Sequence, residues 1–179
     1  MVRAFVALEL SEDIRTALAG AQEILRGCTA RLTFVYPPLI HITAKFLGEV
    51  DEKKIGAIAG ALKAITFAPF PVTTGRVTLN NPRRPFTVWC AIDDSGKGAQ
   101  LSKLIEDALA PLGFARENRP FTAHATIARV KRYDPSLADS LKQMKQESYG
   151  SCTISGLKLK KSTLTPSGPV YEDLLEVKW

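Results

Sequence analysis

The chain has 179 residues, a formal net charge of +6, and 45% hydrophobic against 23% charged residues, the balance of an ordinary globular protein long enough to bury a core unaided. It holds two histidines, His41 and His124, and three widely spaced cysteines with no C-x-x-C pair, which excludes a three-histidine metal site, a zinc knuckle and a redox dithiol. The cysteines read as free thiols of a reducing compartment. The opening VRAFVALEL is too short and carries Glu9, so it is not expected to be a signal peptide, and no run reaches the roughly 18–20 apolar residues that span a membrane. A soluble, cytoplasmic protein is expected.

Residues 2–10 read as a strand, and Ser11 before Glu12-Asp13 opens a helix whose apolar face is Ile14, Leu18, Ala21 and Leu25, ending near Gly27. Residues 31–36 look extended and stop at Pro37-Pro38; residues 40–47 form another strand, closed by Gly48. A second helix carries Ile55, Ile58, Ala59, Leu62 and Ile65. Strands near 71–80 and 86–93 flank the turn at Asn80-Asn81-Pro82. A third helix spans about 98–112, residues 122–130 return as a strand, and Asp134-Pro135 opens a helix holding Leu137, Leu141 and Met144. The last segments, 151–160, 162–165 and 169–177, read as strands, with Thr165-Pro166-Ser167-Gly168 as a turn. Helices between short-turned strand pairs indicate an α+β fold.

The two histidines lie 83 residues apart, and the same offset lays AFVALEL (4–10) on TVWCAID (87–93) and Leu18 on Leu101. The chain therefore reads as one domain, 1–179, made of half-repeats of roughly 1–80 and 81–179. Two similar halves suggest a pseudo-twofold internal duplication with a cleft between lobes.

Both histidines sit in the same pattern, His41-Ile42-Thr43 and His124-Ala125-Thr126. Threonine fills 14 of 179 positions, so a chance match at both is roughly 0.6%. On a strand, residues i and i+2 share a face, so each imidazole projects beside its threonine hydroxyl. Two such strands across a twofold aim two imidazoles at one point. Imidazole titrates near pH 6.5, so one ring can be neutral while the other is protonated, which suits in-line attack at phosphorus: one takes a proton from the nucleophile, the other gives one to the leaving oxygen. Threonine hydroxyls can hold the non-bridging oxygens. The short basic clusters, Arg83-Arg84, Arg129 with Lys131-Arg132, and Lys158 with Lys160-Lys161, favour an anionic substrate. Gly96-Lys97 lacks the glycine run of a phosphate loop, and neither G-x-G-x-x-G nor G-x-S-x-G occurs.

The segments RAFVALEL, HITAKFLGEV (41–50), RPFTAHATIARV (119–130) and GPVYEDLLEV resemble the 2H phosphoesterases, specifically the RNA 2′,3′-cyclic phosphodiesterase group long called 2′-5′ RNA ligases, over the whole chain. The resemblance implies a bilobal α+β fold with two antiparallel sheets lining a central cleft and helices outside, and hydrolysis of a 2′,3′-cyclic phosphate end to a 2′-phosphate without metal or cofactor. His41 would be the general acid on the leaving 3′ oxygen and His124 the general base on water, with Thr43, Thr126 and Arg129 binding the phosphate. The partner implied is an RNA or nucleotide with a cyclic phosphate end, tRNA fragments among them; no membrane and no obligate protein partner is indicated. Ala123 stands where the family often has proline, and Phe34-Val35-Tyr36 where tryptophan is common.

Strict alternation puts Arg129, five residues after His124, on the opposite strand face, so a bulge or strand end must re-aim it. Lys45 has the parity of His41 and Thr43 and is the cation that alternation favours. Phe121 and Phe34 are candidates to stack on a base. Two other functions fit the same cleft: reversible 2′-5′ joining of RNA, and a non-catalytic RNA-end or nucleotide-binding module.

Overall fold

A computed structural model describes residues 1–166 and 168–179. Four helices and nine strands are found among the described residues. In chain order they are β1 (Val2–Glu9), α1 (Glu12–Leu25), β2 (Arg31–Phe34), β3 (His41–Val50), α2 (Ile55–Lys63), β4 (Phe70–Leu79), β5 (Thr87–Asp93), α3 (Lys97–Leu109), β6 (His124–Arg132), α4 (Pro135–Gln143), β7 (Ser151–Ile154), β8 (Gly156–Thr165) and β9 (Gly168–Lys178). Local chemistry sets the boundaries. Ser11 caps α1 by accepting the Ile14 amide at 3.4 Å, and Asp134 caps α4 by accepting the Ser136 amide at 2.9 Å ahead of Pro135. Pro37-Pro38 closes into a 3-10 turn after β2, and Pro111 sits in another that ends α3 at residue 109 rather than 112.

The strand expected over 151–160 breaks at Ser155. β7 pairs with β4 at one end of the sheet, whereas β8 pairs with β1 at the other, so the chain crosses between lobes there. The crossing is tight: a Cβ on Gly156 would lie 2.1 Å from the Val177 carbonyl oxygen. Of the turn expected at 165–168, Ser167 lies outside the described residues.

The strands run in the order β7-β4-β5-β6-β3-β1-β8-β9, with β2 also paired to β6. The three strands on either side of the β6/β3 junction correspond by the 83-residue offset, β6 with β3, β5 with β1 and β4 with β8, and neighbouring strands pair antiparallel. The two expected sheets are thus one curled sheet, continuous through the single residue pair Ile42–Ala125, the middle residues of the two H-x-T motifs. The outer strands exchange: β4, from the first half, completes the lobe of β5 and β6, and β8 and β9 complete the lobe of β1 and β3.

The helices cover one face of the sheet. Ile14, Leu18 and Leu25 of α1, Ile58 and Leu62 of α2, and Leu101, Ile105 and Leu109 of α3 are fully buried with Val6, Leu8, Ile42, Val88, Ala125 and Ile127 of the strands. Each large apolar side chain among these, taken from water, contributes about 1.5–3 kcal/mol. The opposite face is left open and carries the histidines. No helix among the described residues is long and apolar enough to cross a membrane.

Candidate active site

His41 and Thr43 on β3, and His124 and Thr126 on β6, are half-buried and alternate with the fully buried Ile42, Ala125 and Ile127. Because Ile42 and Ala125 pair directly, the two motifs lie side by side on antiparallel strands and all four polar side chains face the open side. The imidazoles are held alike. Nδ1 of His41 is 2.7 Å from the Leu39 carbonyl, and Nδ1 of His124 is 2.8 Å from the Thr122 carbonyl, the residue two before it in each case. A carbonyl only accepts, so Nδ1 carries the hydrogen in both rings and Nε2 is left to gain or lose the working proton. Nε2 of His41 is 3.0 Å from the Thr43 hydroxyl, which donates to it when the ring is neutral.

The surroundings differ. Phe5 stacks on His41 with ring centres 5.0 Å apart, and Tyr171 meets it edge-on at 5.7 Å. Trp89 lies against His124 at 4.1 Å. Burial lowers the pKa of both histidines. At His41 the Leu39 carbonyl and the Glu9 carboxylate oppose that fall, and Lys160 and Arg15 add to it; at His124 only the Thr122 carbonyl opposes it. Glu9, the register partner of His41, is itself ion-paired to Arg15 and, at 2.8 Å, to Lys160. Despite the cost of its burial, those cations hold its carboxyl below the usual range.

Two bulges decide where the cations go. Against β1, the register passes from Val6–Lys45 to Ala7–Thr43 and skips Ala44; against β5, it passes from Val88–Ala128 to Trp89–Thr126 and skips Ile127. Ala44 and Ile127 are themselves 83 residues apart, so the bulge is repeated with the motif. Beyond each bulge the faces exchange. Arg129 therefore turns to the open face with His124, where its charge helps pull the Tyr171 phenol down against the upward push of burial. Lys45 turns the other way. Its ammonium is buried on the helix side, 2.7 Å from Glu106 of α3 and 2.9 Å from the Ala115 carbonyl. Alternation's choice of Lys45 as a phosphate-binding cation is corrected by this placement, because the bulge at Ala44 lies between Lys45 and the motif. At the position matching Arg129 the first repeat presents Phe46, exposed and 6.3 Å from Phe5.

Phe121 is placed against α3. Its ring edge lies over the first turn of α3, 2.6 Å from where a Cβ on Gly98 would sit. Phe34 carries the Arg26 guanidinium at 4.3 Å from its centre. The rings that do surround the imidazoles, Phe5, Trp89 and Tyr171, are not among the residues that sequence reading singles out. The available signal is parity: Phe5 shares a face with Glu9, and Trp89 is the strand partner of Thr126. Among the described residues, no group of three or more His, Cys, Asp or Glu could hold a metal ion.

A curled antiparallel half-barrel with one H-x-T motif on each of its two central strands defines a 2H-phosphoesterase architecture. The chain belongs to the 2′-5′ RNA ligase superfamily, whose model matches residues 6–163. It is 37% identical to a protein of Archaeoglobus fulgidus named RNA 2′,3′-cyclic phosphodiesterase, over 97% of this chain and 98% of that one. It is 33% identical to a protein of the same name from Methanocaldococcus jannaschii, over 98% and 99%. Among solved structures, TT0787 of Thermus thermophilus superposes with a TM-score of 0.81 at 25% identity, over 98% of this chain and 97% of that one. E. coli LigT complexed with 3′-AMP shares the fold with a TM-score of 0.79 at 21% identity, over 99% and 97%.

Proposed function

We propose that this chain hydrolyses the 2′,3′-cyclic phosphate end of RNA to a 2′-phosphomonoester by two-histidine acid–base catalysis. The observation that carries the reading is the side-by-side presentation of two imidazoles, each with Nδ1 tied to a carbonyl and Nε2 facing the same open side. The shared name of the curated relatives supports the substrate class. Nε2 of His124 takes a proton from water as the water oxygen bonds to phosphorus. The bond from phosphorus to the 3′ oxygen breaks, and that oxygen takes the proton of Nε2 of His41, leaving a 3′-hydroxyl and a 2′-phosphate. The hydroxyls of Thr43 and Thr126 donate to the non-bridging oxygens, and Arg129 offsets their charge. His41 is written as the acid and His124 as the base by the family resemblance; burial lowers both rings, and the support that Glu9 gives to charge on His41 is opposed by Lys160 and Arg15.

An oligoribonucleotide with a 2′,3′-cyclic end, incubated with the protein and followed by 31P NMR, is expected to give the 2′-phosphate. A 3′-phosphate product would overturn the assignment of the leaving oxygen. With a 5′-hydroxyl RNA end in place of water as the nucleophile, the same groups in the same roles would join RNA through a 2′-5′ linkage, the activity for which the superfamily is named.

A further inference from the structure

Gln22 is a polar residue in the middle of the apolar face of α1, between Leu18 and Leu25, and only 2% of it is exposed. Its Nε2 lies 2.7 Å from the Val35 carbonyl and 2.9 Å from the Ile127 carbonyl. Both partners can only accept, so the amide nitrogen, with its two hydrogens, must face them. Ile127 is the residue that the β5 register skips, so Gln22 bonds to the bulge itself. The same carbonyl also accepts the Val35 amide at 2.9 Å. Its two lone pairs are thereby filled from two directions, once from the chain leaving β2 and once from a helix on the far side of the sheet.

We infer that Gln22 is a positioning residue for Arg129. The inference rests on the proposed reading of Arg129 as the phosphate-binding cation. Arg129 reaches the open face only because the bulge inserts one residue ahead of it. A bulge is locally free of the ladder bonds that fix an ordinary strand, so its orientation depends on whatever else holds its peptide groups. Here those are the Val35 amide, which carries on the β2 pairing, and the Gln22 amide, which ties the Ile127 carbonyl to α1 and, through the Val35 carbonyl, to the segment beyond β2. The repeat makes the contrast plain. The matching bulge at Ala44 turns an aromatic ring outward, and the polar group α3 offers nearby is Glu106, which pairs with Lys45 and makes no bond to the bulge peptide. Without Gln22 the Val35 amide still satisfies the Ile127 carbonyl, so the sheet survives while the aim of Arg129 loosens.

The test is a double-mutant cycle in the full chain, read by kcat/KM on a 2′,3′-cyclic nucleotide and by inhibition with inorganic phosphate. Gln22→Met, which keeps length and removes the donors, is expected to lower kcat/KM by roughly 10- to 100-fold, the scale of a misplaced positioning group. It should weaken phosphate inhibition as Arg129→Ala does, and leave the pH midpoints of kcat unmoved. In the Arg129→Ala background the same change is expected to cost less than about twofold, because the group it acts through is gone. Equal fold losses in both backgrounds would overturn the inference, as would full activity in Gln22→Met. Gln22→Leu serves as a second variant; if neither folds, the amide holds the fold rather than one side chain, and the inference is likewise overturned. Full activity in Arg129→Ala would instead remove the reading of Arg129 on which the inference rests.

Discussion

The buried pair of Lys45 and Glu106 offers the sharpest separation of structure from chemistry. The side chains are 2% and 10% exposed, their charged atoms are 2.7 Å apart, and the second carboxylate oxygen of Glu106 is buried with no hydrogen-bond partner. Lys45→Met strands that carboxylate, and breaking a buried pair by removing one member costs about 3–5 kcal/mol. For a chain of this size each kcal/mol moves the melting temperature by about 2–4 °C, so a drop of roughly 6–20 °C is expected, read by calorimetry. Lys45→Met combined with Glu106→Leu removes both charges and is expected to recover most of the loss, since apolar replacement of a buried pair is often neutral. Below the melting range, kcat/KM should stay within about threefold of the parent for both variants. A cation on the transferring phosphoryl group is worth on the order of 100-fold or more. Lys45→Met with unchanged stability and a loss of that size would refute the bulge at Ala44 and return Lys45 to the phosphate.

His41→Ala and His124→Ala should each lower kcat by about 100- to 10,000-fold, while isothermal titration with inorganic phosphate still detects binding; full activity in either ends the two-histidine scheme. Both imidazoles are held below their ordinary pKa, so the bell-shaped profile of kcat/KM is expected to peak on the acid side of pH 6.5; a maximum above pH 8 would contradict the burial of both rings. The same shifts have a sign for folding. A lowered imidazole pKa means that the unfolded chain binds more protons, so this part of the stability is present above the unfolded value and is lost as pH falls through the folded one; urea midpoints at pH 7.5 and 5 test it. Glu9→Gln removes a carboxylate that supports charge on His41, so the NMR titration midpoint of His41 should fall while that of His124 stays. Movement of both, or of neither, would show that Glu9 does not distinguish them.

The two H-x-T motifs are readable in the sequence because their geometry needs only adjacent alternation, and Ile42 and Ala125 do face the helices as that rule requires. The rule fails one residue further on. Ala44 and Ile127 are ordinary strand residues, and nothing in their side chains announces an extra residue in the ladder. Alternation therefore aims Lys45 at the cleft and Arg129 away from it, each opposite to where it lies. The elements that fill out the site come from distant chain segments, and their rings are legible only once strand order is known: Tyr171 reaches His41 from the last strand. Gln22 is hidden for another reason. A polar residue inside an apolar helical stripe reads as an interruption until the carbonyl it serves, 105 residues away, is in view.

The exchange of outer strands bears on how the site comes into being. A chain cut in the loop between β4 and β5 would leave β1 and β3 without β8 and β9 in one fragment, and β5 and β6 without β4 in the other. Neither fragment encloses a finished lobe, and each carries one histidine. The first competent sheet that could form is the one in which each fragment lends a strand to the other, and that is the sheet in which Ile42 meets Ala125. In this topology neither half completes its lobe alone, so the pairing of Ile42 with Ala125 that sets His41 beside His124 draws on strands from both.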